Sequence, residues 1–438
     1  MARDRRIEAA KRIVAEVATR LDADLSVELW NGEVVPLGTK ARDDIRVRIS
    51  SPDVIRRLLL SPALMTVFAL HASGDIDIIG GTPLEAAQRW DHMRALGVVR
   101  GLSKVWLARN LLPFLFGRRD SGGFAASDAF DTRGIAAKPE AGRNDMELIQ
   151  FHYDVSNAFY GLFLDPEMVY SSAYFQDDDT TLEEAQLHKL DMICRKLRLK
   201  PGQHLLDIGC GWGGLICHAV TNYGVTAHGV TLSKAQFDFV TEKLARLGIA
   251  DKVTLELKDY REIDAEEAYD AIAQIEMFEH LGLDNHDRHF EHMRRLLKTR
   301  GLYLHQASVR RATRDLSQFR KQTSYMKFIN TCIFPGGELD HIGLTVTNLE
   351  RLGFEVHDVE NWREHFAKTC RLWSERLAAN REAAVAEVGA AKTRLWLAYF
   401  AMTALGFHRG PILVYQTLAS KRRSGLSGLP WTRKDLYR

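Results

Sequence analysis

The densest chemistry in this sequence lies in the run His204-Leu205-Leu206-Asp207-Ile208-Gly209-Cys210-Gly211-Trp212-Gly213-Gly214. It reads as a short buried strand that ends in a glycine-rich turn and opens a helix. Glycine is required where backbone must approach a nucleotide-like ligand closely, because a side chain would hold the ligand off. Gly209, Gly211 and Gly214 satisfy G-x-G-x-x-G, the dinucleotide fingerprint. A nicotinamide site also wants an acid at the end of the second strand, about twenty residues on. That place holds Gly229-Val230-Thr231-Leu232-Ser233, with no carboxylate. The acid stands instead two residues before the first glycine, at Asp207, which argues against dinucleotide redox chemistry.

The elements that must position this turn follow from the hydrophobic pattern. Strands are expected at 205–208, 225–230, 253–257, 271–275 and 302–305, each separated from the next by a helical stretch. Such alternation builds a mostly parallel sheet covered on both faces, with ligands at the carboxyl ends of its strands. The fold class is therefore α/β, with a Rossmann-like sheet domain preceded by a smaller α+β domain. In that first part, residues 1–22 read as an amphipathic helix, 25–29, 45–49 and 76–79 as strands, and 52–60 as a helix. Residues 98–116 are apolar with spaced cations, the make-up of an interfacial helix and equally of a core helix. Residues 117–144 turn to Gly, Ser, Ala, Asp and Arg without periodicity, which marks a linker. The expected division is a domain of lipid- or membrane-binding type at 1–116, the linker at 117–144, a catalytic domain at 145–420 and a basic tail at 421–438.

Composition narrows the partners. The 438 residues carry a formal net charge of only +2, so the molecule is no polycation built for nucleic acid. Local basic clusters (Arg5-Arg6, Arg118-Arg119, Lys421-Arg422-Arg423, Arg433-Lys434) read as solvated surface or as contacts to an anionic membrane surface. Cys194, Cys210, Cys217, Cys332 and Cys370 are scattered and lack zinc-like pairing, so neither a disulfide framework nor a metal site is expected and a reducing cytoplasm fits. Glu276, Glu279 and His280 with His286, His289 and His292 could suggest a metal cluster. On a polar helix that spacing reads instead as a solvated face. The N-terminus has no apolar leader core, and no stretch approaches the roughly 18 apolar residues of a membrane span. A cytoplasmic, peripherally membrane-associated protein is expected.

Asp207 ahead of the glycines gives D-x-G-x-G, the usual opening of class I S-adenosylmethionine (SAM) methyltransferases. The segments Phe151-His152-Tyr153-Asp154, Tyr170-Ser171-Ser172-Ala173-Tyr174-Phe175, Met277-Phe278-Glu279-His280-Leu281-Gly282, Tyr303-Leu304-His305 and Ile333-Phe334-Pro335-Gly336-Gly337, together with Trp362, resemble the cyclopropane-fatty-acyl-phospholipid synthase family. The resemblance covers residues 145–418 closely and the first domain loosely. It implies that Tyr170 and Ser171 cover SAM and that Asp207, Gly209 and Gly211 approach it. Thr231, Leu232 and Gln236 would contact its ribose and methionine portions, and Asp259 and Tyr260 its adenine.

The chemistry such an enzyme must perform can be stated on its own. The methyl of SAM sits on a sulfonium and is electrophilic, so an alkene attacks it without a basic nucleophile on the protein. A carbocation then remains on the acyl chain, and the protein must exclude water and supply a base for one proton. Loss from the new methyl closes a cyclopropane; loss from a neighbouring carbon leaves a methyl-branched alkene. A dry, aromatic-rich acyl tunnel is expected, since aromatic faces tolerate cations.

In the resembled family the base is a bound bicarbonate, and the resemblance makes Glu279, His305 and Ser172 the catalytic candidates. Glu279 and His305 match the family; Ser172 stands for a cysteine, Phe366 for a tyrosine and Ala307 for an isoleucine. Glu276 replaces a glycine and adds a negative charge near an anion site. A serine still hydrogen-bonds an anion, whereas loss of the phenol costs about 1–3 kcal/mol if an anion partner goes short.

The leading expectation is methylene addition from SAM to the double bond of an unsaturated acyl chain of a membrane phospholipid, giving a cyclopropane. The altered base site motivates the alternative of a methyl-branched or methylene-bearing unsaturated chain. A non-catalytic lipid- or SAM-binding relative is a remote third, against which the intact Asp207–Gly214 run, Glu279 and His305 argue. Chain length, double-bond position, head group and homo-oligomerisation stay open.

Overall fold

The computed structural model describes residues 5–90, 97–98, 101–115, 155–315, 319–333 and 336–437. The expected linker at 117–144, Arg118-Arg119, Phe151–Asp154 and Phe334-Pro335 lie outside the described residues. The chain divides into two compact units. The first takes the described parts of 1–134 together with 322–332 and 374–405; the second takes those of 135–321, 333–373 and 406–438. Segments 322–332 and 374–405, which the pattern places in the catalytic domain at 145–420, thus group with the first unit. Two later segments join the first unit because their side chains find partners there: Phe328 stacks on Phe68 with ring centroids 3.6 Å apart, and Arg394 reaches Asp77 at 3.5 Å.

The first unit holds a four-stranded sheet in the order β2-β1-β3-β4, formed by β1 (Ser26–Glu28), β2 (Val34–Pro36), β3 (Arg46–Ile49) and β4 (Ile76–Ile79). The helix Arg5–Leu21 buries Ala9, Ala10, Ile13 and Val14, the one stripe its 3.6-residue period allows. The helix Lys104–Leu115 shows both readings at once. Phe114 is buried, Trp106 packs on the core and Arg12 donates to Asn110 at 3.1 Å, while Val105 and Leu112 are 81% and 54% exposed. Within this unit lies a cavity of about 350 Å³, walled by Val14, Val17, Leu25, Ile49, Leu58, Phe68 and other apolar side chains. Its polar wall group is His71, whose Nδ1 lies 3.1 Å from the Ile76 carbonyl and whose Nε2 is buried without a partner.

The second unit is built on seven strands in the order β10-β11-β9-β8-β5-β6-β7. They are β5 (His204–Ile208), β6 (Thr226–Thr231), β7 (Val253–Leu257), β8 (Tyr269–Ile275), β9 (Leu297–Arg310), β10 (Phe354–Asn361) and β11 (Ile412–Lys421). All pairings from β7 to β9 are parallel; β11 runs antiparallel to both β9 and β10. Alternate residues feed two cores. Leu205, Ala271, Ala273 and Leu304 pack on one face, and Leu206, Ile208, Ile272 and Tyr303 on the other. This is the α/β architecture with a mostly parallel sheet that the strand–helix alternation predicts.

Two expectations change. The helix His286–Leu296 is not a solvated histidine face: it buries His286 and His289 with Phe290, Met293 and Leu296, because positions three, four and seven apart share its inner side. The basic tail is also partly tied down. Lys421 sits in β11 against Glu267 at 2.8 Å, Arg433 pairs with Asp358 at 2.8 Å and Leu436 is buried, leaving Trp431 97% exposed. All five thiols are free and buried. Among the described residues, no helix is long and apolar enough to cross a membrane.

Candidate active site

β5 delivers Asp207 to the centre of the sheet and then breaks into the turn. Gly209, Gly211 and Gly213 all have positive φ, of 75°, 55° and 76°. A Cβ on Gly209 would lie 3.2 Å from the Met277 side chain, whereas one on Gly211 would stand in open space. Glycine here both permits the left-handed backbone and keeps the turn clear for a ligand. The helix Gly214–Tyr223 follows directly, so its N-terminal amides face the same opening.

Tyr170, Ser171, Asp207, Gly209, Gly211, Thr231, Leu232, Gln236, Asp259 and Tyr260 all line one cavity of about 140 Å³ at the carboxyl ends of β5, β6, β7 and β8. The loop before the first strand closes it. Gln186 donates to the carbonyls of Val169 and Ser171, and Lys189 Nζ donates to Ser171 Oγ at 2.8 Å. Tyr170 sits among rings, 5.4 Å from Tyr160, 6.3 Å from Phe163 and 5.1 Å from Trp373 between centroids. Thr231 donates to Gln236 at 2.7 Å, and Asp259 caps the next short turn through the Arg261 amide. These donors, acceptors and the clear face over Gly211 fit SAM: an acid and backbone for its polar ends, rings for a sulfonium.

Burial controls the ionisation of this wall. Desolvation raises Asp207 to about 7, opposed by the charge of Lys189. Burial also raises Glu276, reinforced by the charge of Glu279, and lowers Lys189, which the nearby carboxylates partly restore. Lys189 also lines the cavity and was not singled out from the motifs. Its signal was a lysine on the inner stripe of the helix Leu182–Lys196, in line with Ala185, Gln186 and Ile193.

The three catalytic candidates do not line the cavity. Ser172 lies just behind it; its amide donates to Glu276 Oε1 at 2.9 Å and its hydroxyl to the Ala173 carbonyl at 3.2 Å. Glu279 Oε1 accepts from the Ser308 amide at 2.5 Å, and its Oε2 is buried without a partner. His305 is buried on the same face of β9 as Tyr303, against Phe278 and Phe290, with Nδ1 3.3 Å from both Tyr303 Oη and Gln274 Oε1. Burial drops its pKa to about 3, so it is a neutral imidazole. Phe366 packs its ring on Phe407 at 4.5 Å and offers no hydroxyl.

Against bicarbonate the fit fails. An anion needs donors, and two of those near its expected place serve Glu276 instead: the Ser172 amide and Gln306 Nε2 both point at Glu276 Oε1, at 2.9 and 2.6 Å, which leaves the buried, unpartnered Nε2 of His305. The residue that displaces the family glycine brings its own carboxylate.

Residues 140–417 match the mycolic acid cyclopropane synthetase family. The chain is 40% identical over 297 residues to a probable fatty acid methyltransferase of Pseudomonas putida, covering 68% of this chain and 75% of that one. The cyclopropane synthase MmaA2 from Mycobacterium tuberculosis superposes with a TM-score of 0.60 and 34% identity over 63% of this chain and 98% of its own. The mycolic acid cyclopropane synthase CmaA1, complexed with SAH and CTAB, gives 0.59 and 36% over the same shares.

Proposed function

This chain belongs to the mycolic acid cyclopropane synthetase family of SAM-dependent methyltransferases, and from that premise we propose that it methylates the double bond of an unsaturated fatty acyl chain carried on a membrane phospholipid. The single observation behind this reading is the cavity at the strand ends, where the glycine turn, Asp207 and Asp259 share a wall with the buried carboxyl of Glu276. When bound, SAM supplies an electrophilic methyl group. Asp207 and the backbone of Gly209 and Gly211 bind it, Thr231 and Gln236 orient it, and Tyr170 with Ser171 shuts out water. The rings around Tyr170 provide a dry wall tolerant of cationic charge.

Two features support a lipid substrate. The cavity of the first unit is apolar enough to seat an alkyl chain, and Trp431 stands exposed between the basic pairs Arg422-Arg423 and Arg433-Lys434, the composition of a membrane-surface contact.

A cyclopropane acyl chain is the product that the family's description and several relatives' names point to. A methyl-branched unsaturated chain is the second reading, favoured by Phe366, which offers no hydroxyl, and by the Glu276 carboxyl that takes up the Ser172 and Gln306 donors. The test is incubation of monounsaturated phospholipid vesicles with SAM deuterated in its methyl group, read by mass spectrometry of the acyl chains. Ring closure removes one deuterium from the added carbon; branching keeps them all. No labelled acyl chain from any unsaturated phospholipid would defeat the proposal.

A further inference from the structure

We propose that Glu276 is the base that removes the proton after methyl transfer, a protein carboxylate standing where relatives would hold an anion. The inference rests on the acyl-methylation reading above and deepens it.

Glu276 lies one residue beyond β8, on the cavity wall beside Met277, whose side chain touches the Gly209 turn. Both of its hydrogen bonds arrive at one oxygen, from the Ser172 amide at 2.9 Å and from Gln306 Nε2 at 2.6 Å. Gln306 is fixed in turn by Gln416 at 2.7 Å, and Gln416 by Lys196 at 2.7 Å. Two donors on Oε1 hold the carboxyl rigid and leave Oε2 as its reactive oxygen. The backbone is strained at this placement: Glu276 has φ 52°, a left-handed conformation unfavourable for a residue with a Cβ. Strain of this kind persists where the surroundings over-determine it, here through the Glu276 amide bonded to the Gln306 carbonyl at 2.8 Å.

Other groups nearby are less suited. Glu279 is enclosed and bonded to Ser308, His305 is wedged between Phe278 and Phe290, and Phe366 has nothing to titrate. The charged groups facing Glu276 are Glu279, which resists its ionisation, and Lys189, which favours it. A cation developing on the substrate adds to the second effect.

The step balances. Methyl transfer leaves one acyl carbon short of an electron pair. Glu276 carboxylate forms an O–H bond to a proton on an adjacent carbon or on the new methyl, and the released C–H pair becomes the alkene π bond or the closing ring bond. The proton leaves Glu276 for solvent through the emptied cavity before the next turnover.

The decisive experiment compares the unmodified protein with E276Q and E276G, in bicarbonate-free and bicarbonate-supplemented buffer, on monounsaturated vesicles with SAM. Binding of isotopically labelled bicarbonate is followed by NMR and SAM affinity by calorimetry. The expected result is turnover of the unmodified protein that ignores bicarbonate, and a loss on the order of 10²–10⁴-fold in E276Q with SAM still bound. E276G should bind labelled bicarbonate and recover turnover as it is added. Labelled bicarbonate bound by the unmodified protein, or full turnover in E276Q, would overturn the proposal. The bicarbonate-binding arm decides even if the vesicles prove to be the wrong substrate, so the two readings fail separately.

Discussion

Gln306, within β9, and Glu276, just past the carboxyl end of the neighbouring parallel strand β8, are joined by Gln306 Nε2 donating to Glu276 Oε1 at 2.6 Å. Hydrogen bonds to a carboxylate favour its charged form, so the amide counteracts the burial that raises Glu276. Gln306→Leu removes that support. The rise of kcat/KM with pH, which tracks ionised Glu276, should move to higher pH, with turnover near neutrality falling about tenfold for each pH unit moved. An unmoved pH profile would show that Gln306 does not tune this carboxyl.

Gly211 lines the cavity and has open space where a side chain would stand. Gly211→Val should fill that space and abolish SAM binding by calorimetry, at a folding cost of about 1–2 kcal/mol for a branched residue at positive φ. Retained SAM affinity would remove this turn from the cofactor site.

Asp340 is buried, and desolvation raises it to about 7 although Thr345 donates to it. The folded state therefore binds more protons than the unfolded chain between 3.8 and about 7, and stability declines as pH rises through that window. Asp340→Asn should remove this residue's share of the decline, to which Asp207 and Glu276 also contribute, so Tm of the variant relative to the unmodified protein rises from about pH 5 to about pH 8. A constant difference would mean that Asp340 titrates as an ordinary carboxyl.

Vesicle sedimentation tests the surface around Trp431. Binding should favour anionic lipid and weaken with salt, because exposed charges are screened over about 10 Å at 0.1 M. Trp431→Ala combined with Arg422→Ser and Arg423→Ser should lower it severalfold. Equal binding to neutral vesicles would count against electrostatic docking.

The parallel strands β5 to β9 were legible because each pairs an apolar run with a following helix, and the cofactor candidates because glycines and polar groups recur at strand ends. β11 was not, since an antiparallel return strand breaks the strand–helix alternation that served as the guide. The inner stripe of the helix His286–Leu296 was masked by its polar composition, although Phe290, Met293 and Leu296 set its phase. The environment of Glu276 was illegible for a different reason. Ser172, Glu276 and Gln306 are far apart in sequence; the register of β8 on β9 brings Gln306 to Glu276, and the loop before the helix Leu182–Lys196 brings the Ser172 amide to the same oxygen. The departures from the family pattern marked the place; the contacts explain what the departures do together.

The burial of the five thiols turns the chain into its own unfolding clock. Cys332 belongs to the first unit, while Cys194, Cys210, Cys217 and Cys370 belong to the second. Desolvation holds every one above its ordinary pKa, Cys332 at about 12, so none reacts quickly while covered. Alkylation at Cys194, Cys217, Cys332 and Cys370 then counts local openings, whereas Cys210 lines the cavity at the strand ends. Peptide mapping of a labelling time course would give separate opening rates for the two units from a single sample, without mutation or attached dye.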